Sequence, residues 1–211
     1  MENKGKKKDK RVPAAVRRKI ILDAASRTFV EFGYQGTRME TIAERADVTK
    51  PILYRHFPSK LSLLIAVVDQ AGEELMRAMS EPFPERMGWR AAIVKDIRAY
   101  LDFVENFRQG FILLFFVGMS LDQEVARHVA SIRAELVRIV AEHIRLFTNT
   151  ALISGEDIEM YAVVLVGMVE AASVYWITHE DITRNSCEQI LVRAVQAVMS
   201  NLPPAPWAIK R

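Results

Sequence analysis

The fold is decided by residues 37–60, TRMETIAERADVTKPILYRHFPSK. Thr37 followed three residues later by Glu40 has the pattern of a capping box, in which each side chain satisfies a free backbone N–H at the start of a helix. Thr49 can cap a second short helix, and Pro51 falls in the first turn of that helix, where a missing N–H costs little. Two short helices joined by about three residues predict a helix-turn-helix.

The second helix of this pair has two different faces. Leu53 and Phe57 lie one turn apart, so we expect them to point into the core together with Val48. The opposite face carries Lys50, Pro51, Tyr54 and Arg55. Cations and a phenolic hydroxyl can donate to phosphates and to base edges in a major groove. His56 and Lys60 lie beside this face, and the alternative to a nucleic-acid contact is an outer face that is only solvated.

The charge of the chain is distributed unevenly. Residues 1–60 contain 15 Lys and Arg against 7 Asp and Glu, a net charge of +8, whereas residues 61–211 contain 14 against 19, a net charge of −5. A basic beginning on an acidic body is typical of a phosphate-binding module attached to another domain. The alternative is a solvated lysine tail without a partner, because residues 1–15 lack apolar periodicity and are expected to be disordered.

The composition excludes several classes of protein. With 50% hydrophobic and 26% charged residues, the chain is too apolar for intrinsic disorder and is not of a collagen-like or low-complexity class. Cys187 is the single cysteine, so no intrachain disulfide can form, which fits a reducing compartment. The beginning of the chain is rich in lysine and lacks the apolar segment of a secretory signal, so we expect a cytoplasmic protein.

Catalytic and cofactor motifs are not found in the sequence. The histidines, which lack the close spacing of a metal site, are His56, His128, His143 and His179. No GxGxxG or phosphate-loop pattern occurs, and no nucleophile motif is recognisable. We therefore expect no enzyme activity, no cofactor and no bound metal.

Helical periodicity extends beyond the helix-turn-helix in both directions. Ile21, Ala25, Phe29 and Phe32 form one apolar stripe of a first helix, and Gly33 supplies a left-handed stop. Further helices are predicted at residues 38–46, 49–57, 60–80, 86–107, 110–119, 122–149, 156–180 and 183–201. No long run alternates with period two, so the predicted fold is all-α. The predicted divisions are a basic tail (1–15), a three-helix helix-turn-helix domain (16–62), a larger helical domain (63–202) and a second tail (203–211).

These residues resemble the TetR family of bacterial transcriptional regulators. The resemblance is carried by Gly33-Tyr34, the turn around Thr37, Ile42-Ala43 and, above all, TKPILYRHFPSK at residues 49–60. It covers about residues 16–65, a quarter of the chain. It implies a helix-turn-helix domain followed by a ligand-binding helical domain that forms dimers, usually acting as a repressor that a small molecule releases.

The resemblance also implies roles for individual residues. Those that would contact bases or nearby phosphates are Thr49, Lys50, Pro51 and Tyr54. Those that would hold the DNA backbone are Thr37, Tyr54, His56 and Lys60. The sequence departs from the family at Asp47, where the turn usually has glycine and where aspartate tolerates a left-handed conformation. It also departs at Arg38, where a small hydroxyl residue is usual and where an arginine offers an extra phosphate contact.

Six of the eighteen aromatic residues lie between residues 100 and 116. Phe103, Phe107 and Phe111 would form a one-turn ladder, which Gly110 is expected to break between two helices. The alternatives are an ordinary structural core and a pocket between helices for an apolar or aromatic ligand. The residues predicted to line that pocket are Phe103, Phe107, Phe111, Phe115, Met119, Leu165 and Met168.

Residues 160–178, MYAVVLVGMVEAASVYWIT, are almost entirely apolar and long enough to span a membrane. Glu170 in the middle argues against a membrane span, because a charge is costly in lipid. We therefore expect one face to pack on the core and the other on a second copy of the chain. The predicted interface residues are Gly167, Ala171 and Val174, with Ile190, Ala194, Ala197 and Val198 on the next helix. Glu170 would form a buried ion pair or hydrogen bond there, or serve as a polar handle for a ligand.

Together with these patterns, the resemblance to the TetR family implies a homodimeric regulator that binds a near-palindromic operator in double-stranded DNA and responds to a hydrophobic small molecule, with no membrane partner. A ligand in the helical domain is expected to move the helix that starts near Lys60 and so to change the spacing between the recognition helices. Two other classes stay open: an architectural DNA-binding protein without an effector, and a helical protein that binds lipid or acyl chains.

Overall fold

The computed structural model describes residues 13–117 and 122–207 of the chain. In this part of the chain the secondary structure is helical, apart from an isolated bridge between Thr148 and Pro204. The helices are α1 (Ala14–Gly36), α2 (Met39–Arg45), α3 (Lys50–His56), α4 (Lys60–Met79), α5 (Trp89–Asn106), α6 (Arg108–Ile112), α7 (Gln123–Phe147), α8 (Gly155–Thr178) and α9 (Arg184–Met199). A π-helical turn, Leu113–Val117, follows α6 directly. The predicted all-α fold is confirmed.

One predicted helix differs from the structure. The helix expected over residues 110–119 is replaced by the short α6 and the π-helical turn, and its last residues lie outside the described part of the chain. Gly110 does not break a helix, since the break comes at Phe107, whose φ and ψ are −120° and 36°. Gly110 instead allows a close approach, because a Cβ at this position would lie 2.8 Å from the Cβ of Ala71.

The chain divides into two compact units, Met1–Val67 and Val68–Arg211, and the division falls inside α4. Most of the predicted basic tail, residues 1–12, lies outside the described residues. The predicted tail is nevertheless too long, because Ala14 and Ala15 already belong to α1.

The first unit is built on the buried side of α1. Ile21, Ala25 and Phe29 are buried as predicted. Phe32 is not: it is 46% exposed, and its ring lies 5.2 Å from the guanidinium carbon of Arg45. The last ring of the predicted stripe therefore packs under an exposed arginine rather than in the core.

The predicted capping box at the start of α2 is wrong. The N-cap residue is Arg38, and its side chain makes no cap hydrogen bond. Thr37 is buried, and its hydroxyl donates to the carbonyl oxygens of Thr28 at 3.2 Å and Gly33 at 2.7 Å. Gly33 (φ 67°, ψ 171°) interrupts α1, and its carbonyl oxygen accepts from both the N–H and the hydroxyl of Thr37. Thr49 is the N-cap of α3, but its side chain makes no cap hydrogen bond either.

The second unit buries an apolar cluster contributed by α5, α7, α8, α9 and the residues after α9. Its members are Ile93, Ile97, Leu101, Ala141, Ile144, Ile158, Ala162, Leu165, Cys187, Leu191, Val195 and Leu202. The starts of three of its helices are capped by side chains. Asp122, Ser154 and Thr183 each accept a hydrogen bond from a backbone N–H in the first turn of α7, α8 and α9. Such caps satisfy donors that a helix start leaves free.

The predicted C-terminal tail is attached to the second unit. The N–H of Asn149 donates to the carbonyl of Pro203 at 2.8 Å, and the N–H of Ala205 donates to the carbonyl of Phe147 at 3.1 Å. Ala205 is buried, and the Trp207 ring lies 5.9 Å from the Phe147 ring. The helix ends before the prolines as expected, but the carbonyl oxygen of Pro203 still accepts a hydrogen bond. We call residues 202–207 the C-terminal segment.

Candidate functional site

The inner face of α3 holds this helix in place. Leu53 is fully buried, Phe57 at the C-cap is 2% exposed, and Val48 before the helix is half-buried. The turn between α2 and α3 contains Asp47 with a positive φ of 50°, a conformation that glycine favours and aspartate tolerates. The N–H of Val48 donates to the carbonyl of Ala43 at 3.0 Å and closes this turn. The predicted inward-facing residues are confirmed.

The outer face of α3 is exposed along the helix. It consists of Thr49, Lys50, Pro51, Tyr54 and Arg55, all of them exposed. The Lys50 ammonium pairs with the carboxylate of Glu40 on α2 and lies 5.9 Å from the centroid of the Tyr54 ring. The hydrogen bond that Lys50 donates to Glu40 raises the pKa of Lys50 and lowers the pKa of Glu40. The face therefore presents charged and neutral donors to solvent, with Lys50 oriented by a neighbouring carboxylate.

Arg38 and His56 border this outer face. Arg38 is exposed at the N-cap of α2. His56 is half-buried, and burial lowers its pKa, as do the positive charges of Arg55, Arg17 and Arg18. The imidazole is therefore mainly neutral near pH 7 and can either donate or accept a hydrogen bond.

Thr37 and Lys60 are engaged inside the first unit. The Lys60 ammonium donates to the carbonyl oxygens of Tyr34 at 2.7 Å and Thr37 at 2.9 Å, and it lies 4.5 Å from the centroid of the Tyr34 ring. Both side chains donate to carbonyl oxygens around the break at Gly33. Their predicted contacts with a DNA backbone stay predictions.

The second unit contains an apolar cavity of about 80 Å³ between α5, α7, α8 and α9. Its walls include Ile93, Ile97, Tyr100, Val140, Leu165 and Val169. Two polar wall residues, Asp96 and His143, form a pair with 2.8 Å between the carboxylate oxygen and Nδ1. Of the residues predicted to line a pocket, Leu165 lies in the wall of this cavity. Met168 packs against the core cluster and is not among the wall residues. Met119 lies outside the described residues.

The four phenylalanines predicted to line a pocket pack on one another instead. The Phe103 and Phe107 rings are stacked with their centroids 5.9 Å apart, and the Phe111 centroid lies 4.5 Å from that of Phe115. Phe103 and Phe111 are buried. The rings pack on one another and are not among the wall residues of this cavity, so their role in lining a ligand pocket stays a prediction.

Glu170 is a buried partner in an ion pair. It is 3% exposed and pairs with Arg133 on α7, whose Nε lies 3.3 Å from a carboxylate oxygen. Burial raises the pKa of Glu170, and the hydrogen bond from Arg133 opposes this. The Arg133 guanidinium carbon also lies 5.5 Å from the Phe115 ring. Of the two predicted roles, the pair is the one observed, and it is made within the chain.

The α8–α9 apolar face is exposed on the second unit. On α8 it includes Met160, Val163, Val164 and Tyr175, which are 50–64% exposed. The predicted interface residues that are exposed are Gly167, Ala171, Ile190 and Ala197, and those that are half-buried are Val174, Ala194 and Val198. By length and composition α8 is also apolar enough to cross a membrane. All seven predicted residues thus reach the surface at least in part.

Sequence reasoning missed two groups of residues near these sites. Arg17 and Arg18, which act on His56 from α1, were signalled by two consecutive arginines at a helix start. Asp96 and His143 carried no signal, because positions 47 residues apart meet only when α5 packs against α7. In the part of the chain that the structure describes, no cluster of three or more His, Cys, Asp or Glu is placed to hold a metal ion.

Comparisons with known proteins agree with this architecture. A family model for bacterial regulatory proteins of the tetR family matches residues 21–67, and one for a tetracyclin repressor-like C-terminal domain matches residues 90–198. The transcriptional activator FasR of Mycolicibacterium smegmatis is 29% identical over 200 residues, 94% of this chain and 90% of FasR. The transcriptional repressor KstR of the same organism is 44% identical over 59 residues, 28% of this chain and 29% of KstR.

Solved structures agree as well. The crystal structure of a TetR-like transcriptional regulator from Rhodococcus sp. RHA1 has a TM-score of 0.74 and 26% sequence identity, covering 90% of this chain and all of that one. The two family models together match both units described above. The chain therefore belongs to the TetR family of transcriptional regulators, with a DNA-binding helix-turn-helix in its first unit and a helical domain in its second.

Proposed function

We propose that the protein acts as a homodimer at a near-palindromic DNA operator, and that a small apolar molecule bound in the second unit changes its occupancy of that operator. The observation that carries the DNA contact is the outer face of α3, where Lys50, Tyr54 and Arg55 are exposed above the buried Leu53 and Phe57. In a helix-turn-helix the second helix enters the major groove, where cations and hydroxyls meet base edges and phosphates.

A dimer is supported by the α8–α9 apolar face. Apolar side chains that are half exposed in water gain free energy when a second surface covers them, and a contiguous patch of them marks an interaction site. A twofold axis through such a patch lets each subunit cover the other with the same residues. Gly167 and Ala171, both exposed at the centre of α8, lack bulky side chains and permit close approach of two helices.

A small apolar effector is supported by the cavity in the second unit. Its volume of about 80 Å³ is smaller than the ~150 Å³ of a cavity that binds benzene. An effector of that size or larger must therefore displace wall side chains, and binding would favour a conformation that differs from the free one. The Asp96–His143 pair and the buried Tyr100 hydroxyl are polar features of the wall that could orient such a molecule.

We propose repression as the mode of regulation, since an occupied operator that overlaps a promoter excludes other proteins from it. The activator FasR matches 94% of this chain and the repressor KstR matches 28% of it, and we infer that the position of the operator decides the sign of regulation. A promoter–reporter assay with the selected operator placed over or upstream of the promoter measures this directly. Higher expression with the protein present in both arrangements would contradict repression.

The experiment that tests the DNA contact is selection from a pool of random duplexes. The wild-type protein should enrich a near-palindrome whose half-sites are one helical turn apart, about 34–36 Å, as expected for two recognition helices of a twofold dimer. A variant with Tyr54→Ala and Arg55→Ala should enrich no sequence. Enrichment of the same site by the variant, or of none by the wild type, would overturn the proposal.

A further inference from the structure

A second group of cations lies beside α3 and comes from α1. The guanidinium carbon of Arg18 lies 4.6 Å from the centroid of the Phe57 ring, and that ring lies 6.3 Å from the ring of His56. Because Phe57 directly follows α3, Arg18 is held at the C-terminal end of this helix. An aromatic ring beneath a guanidinium orients it and leaves its N–H groups, which lie in the guanidinium plane, available to an acceptor.

These cations lack a carboxylate partner in the described residues. Arg45 and Lys50, also in the first unit, each pair with a glutamate. Over residues 13–117 and 122–207, Arg17, Arg18 and Arg55 form no salt bridge with any described carboxylate. All three positive charges act on the His56 imidazole, so an anion placed beside that ring would be attracted by each of them.

The pKa of His56 reflects the positive charge of the neighbouring arginines. Besides burial, the charges of Arg55, Arg17 and Arg18 lower the pKa of His56. Arg18 and Arg55 are exposed, while Arg17 and His56 are half-buried, so a ligand from solvent can reach the group. The chemistry is that of a phosphate site, because guanidinium groups match the oxygens of a phosphate and a neutral imidazole can donate one further hydrogen bond.

We propose that Arg17 and Arg18 bind a backbone phosphate of duplex DNA together with Arg55 and His56. This rests on the proposed function, since it requires α3 to enter the major groove. The seven residues of α3 span about 10 Å, close to the ~12 Å width of that groove. With Lys50 at the first residue of α3 and these four residues at its end, phosphate contacts at both ends would fix how the helix lies in the groove.

The test measures the salt dependence of binding to the duplex that the wild-type protein selects. Arg17→Gln and Arg18→Gln are prepared singly and together, with Arg27→Gln as the matched control, because Arg27 is exposed on the same helix about 14 Å further along. Each lost phosphate contact should reduce the slope of log affinity against log salt by about 0.9. With one such phosphate for each of the two subunits on the operator, the double variant should lose up to about 1.8, and the control should keep the wild-type slope.

The Arg17→Gln variant still tests the proposed phosphate contact if Arg18→Gln destabilises the fold. Arg18 packs on Phe57, so its replacement can lower the melting temperature, whereas Arg17 lies over no aromatic ring of the described residues. A folded Arg17→Gln protein with an unchanged slope would overturn the proposal for that residue, and unchanged slopes in all three variants would overturn it entirely. A wild-type protein that selects no duplex would overturn the proposed function as well, so the two failures are distinguishable.

A second measurement does not depend on affinity. The His56 imidazole is titrated by NMR with and without the selected duplex. A phosphate among these arginines should raise the His56 pKa, because its charge offsets theirs. In the double variant the pKa of the free protein should already be higher and should rise less on binding. An identical rise in wild type and double variant would contradict a phosphate held by Arg17 and Arg18.

Discussion

The outer face of α3 and the α8–α9 apolar face are anchored in the same way and carry opposite chemistry. Leu53 is fully buried beneath the first, and Ser173 and Ala162 are fully buried beneath the second. Outside, α3 presents cations and a phenol, while α8 presents aliphatic side chains and a tyrosine. The polar face is well solvated until a phosphate replaces water, whereas the apolar face is unfavourable until another surface covers it.

The largest expected effect lies on the α8–α9 apolar face. Val164→Asp should separate the dimer, because an isolated carboxylate buried in an apolar interface is costly. Loss of two-site binding should weaken operator affinity by about 10²–10⁴-fold. Light scattering coupled to size exclusion gives the mass, and a gel-shift titration gives the affinity. Asn185→Asp, which adds the same charge at an exposed position of α9, is the control. A Val164→Asp protein with a dimer's mass would contradict the interface.

The next effect lies beneath α3. Leu53→Ala should lower the free energy of unfolding of the first unit by about 2–5 kcal/mol, because it removes a fully buried side chain and leaves a cavity. Chemical denaturation followed by circular dichroism measures the loss. Ile52→Ala, at the half-buried neighbouring position, should cost much less. Equal losses would mean that Leu53 does not anchor the helix.

Replacing one exposed tyrosine on each face distinguishes the roles of the two faces. Tyr54→Ala should weaken operator binding by about 1–3 kcal/mol, or roughly 5- to 150-fold, without changing the melting temperature, because Tyr54 is 40% exposed. Tyr175→Ala, at 55% exposure on α8, should instead raise the dimer dissociation constant. Fluorescence anisotropy with labelled operator and sedimentation equilibrium distinguish these effects. Equal effects of both variants on operator binding at dimer-saturating concentration would remove the distinction.

The smallest expected effect concerns Glu170, on the buried side of α8. Burial raises its pKa above the ordinary 4.5, so folding favours the neutral carboxyl. The stability contributed by the neutral form is present below the ordinary pKa and is lost as pH rises through the raised value. Glu170→Gln removes this dependence, so the unfolding free energy of wild type minus variant should fall as the pH rises above 4.5. A difference that grows with pH would mean that the pairing with Arg133 outweighs burial.

The sequence was informative wherever structure depends on residues within one or two turns. The spacing of Leu53 and Phe57 was enough to predict the inner and outer faces of α3, since helical geometry alone decides it. The same local rules failed at Thr37. The Thr37 hydroxyl could either accept from a backbone N–H at the start of α2 or donate to carbonyl oxygens of α1. In the structure it donates to the carbonyl oxygens of Thr28 and Gly33. The spacing of apolar residues gives no information about which of these hydrogen bonds forms.

The cavity depends on packing between distant parts of the chain. Helical spacing correctly places Phe103, Phe107 and Phe111 near one another, but it does not tell whether their rings border a space or fill it. In the structure they pack on one another. Asp96 and His143 meet across α5 and α7, and neither position has a neighbour in sequence that suggests the other. Wall residues of this kind follow from helix packing and not from local pattern.

Phe147 links the cavity to the C-terminal segment. Its side chain is part of the cavity wall, its carbonyl accepts from Ala205, and its ring packs against Trp207. Shortening the chain before Leu202 would remove those partners and loosen the last turn of α7. The room available to a guest molecule therefore depends on residues that contribute no wall of their own, and ligand screens should use chains that retain residues 202–207.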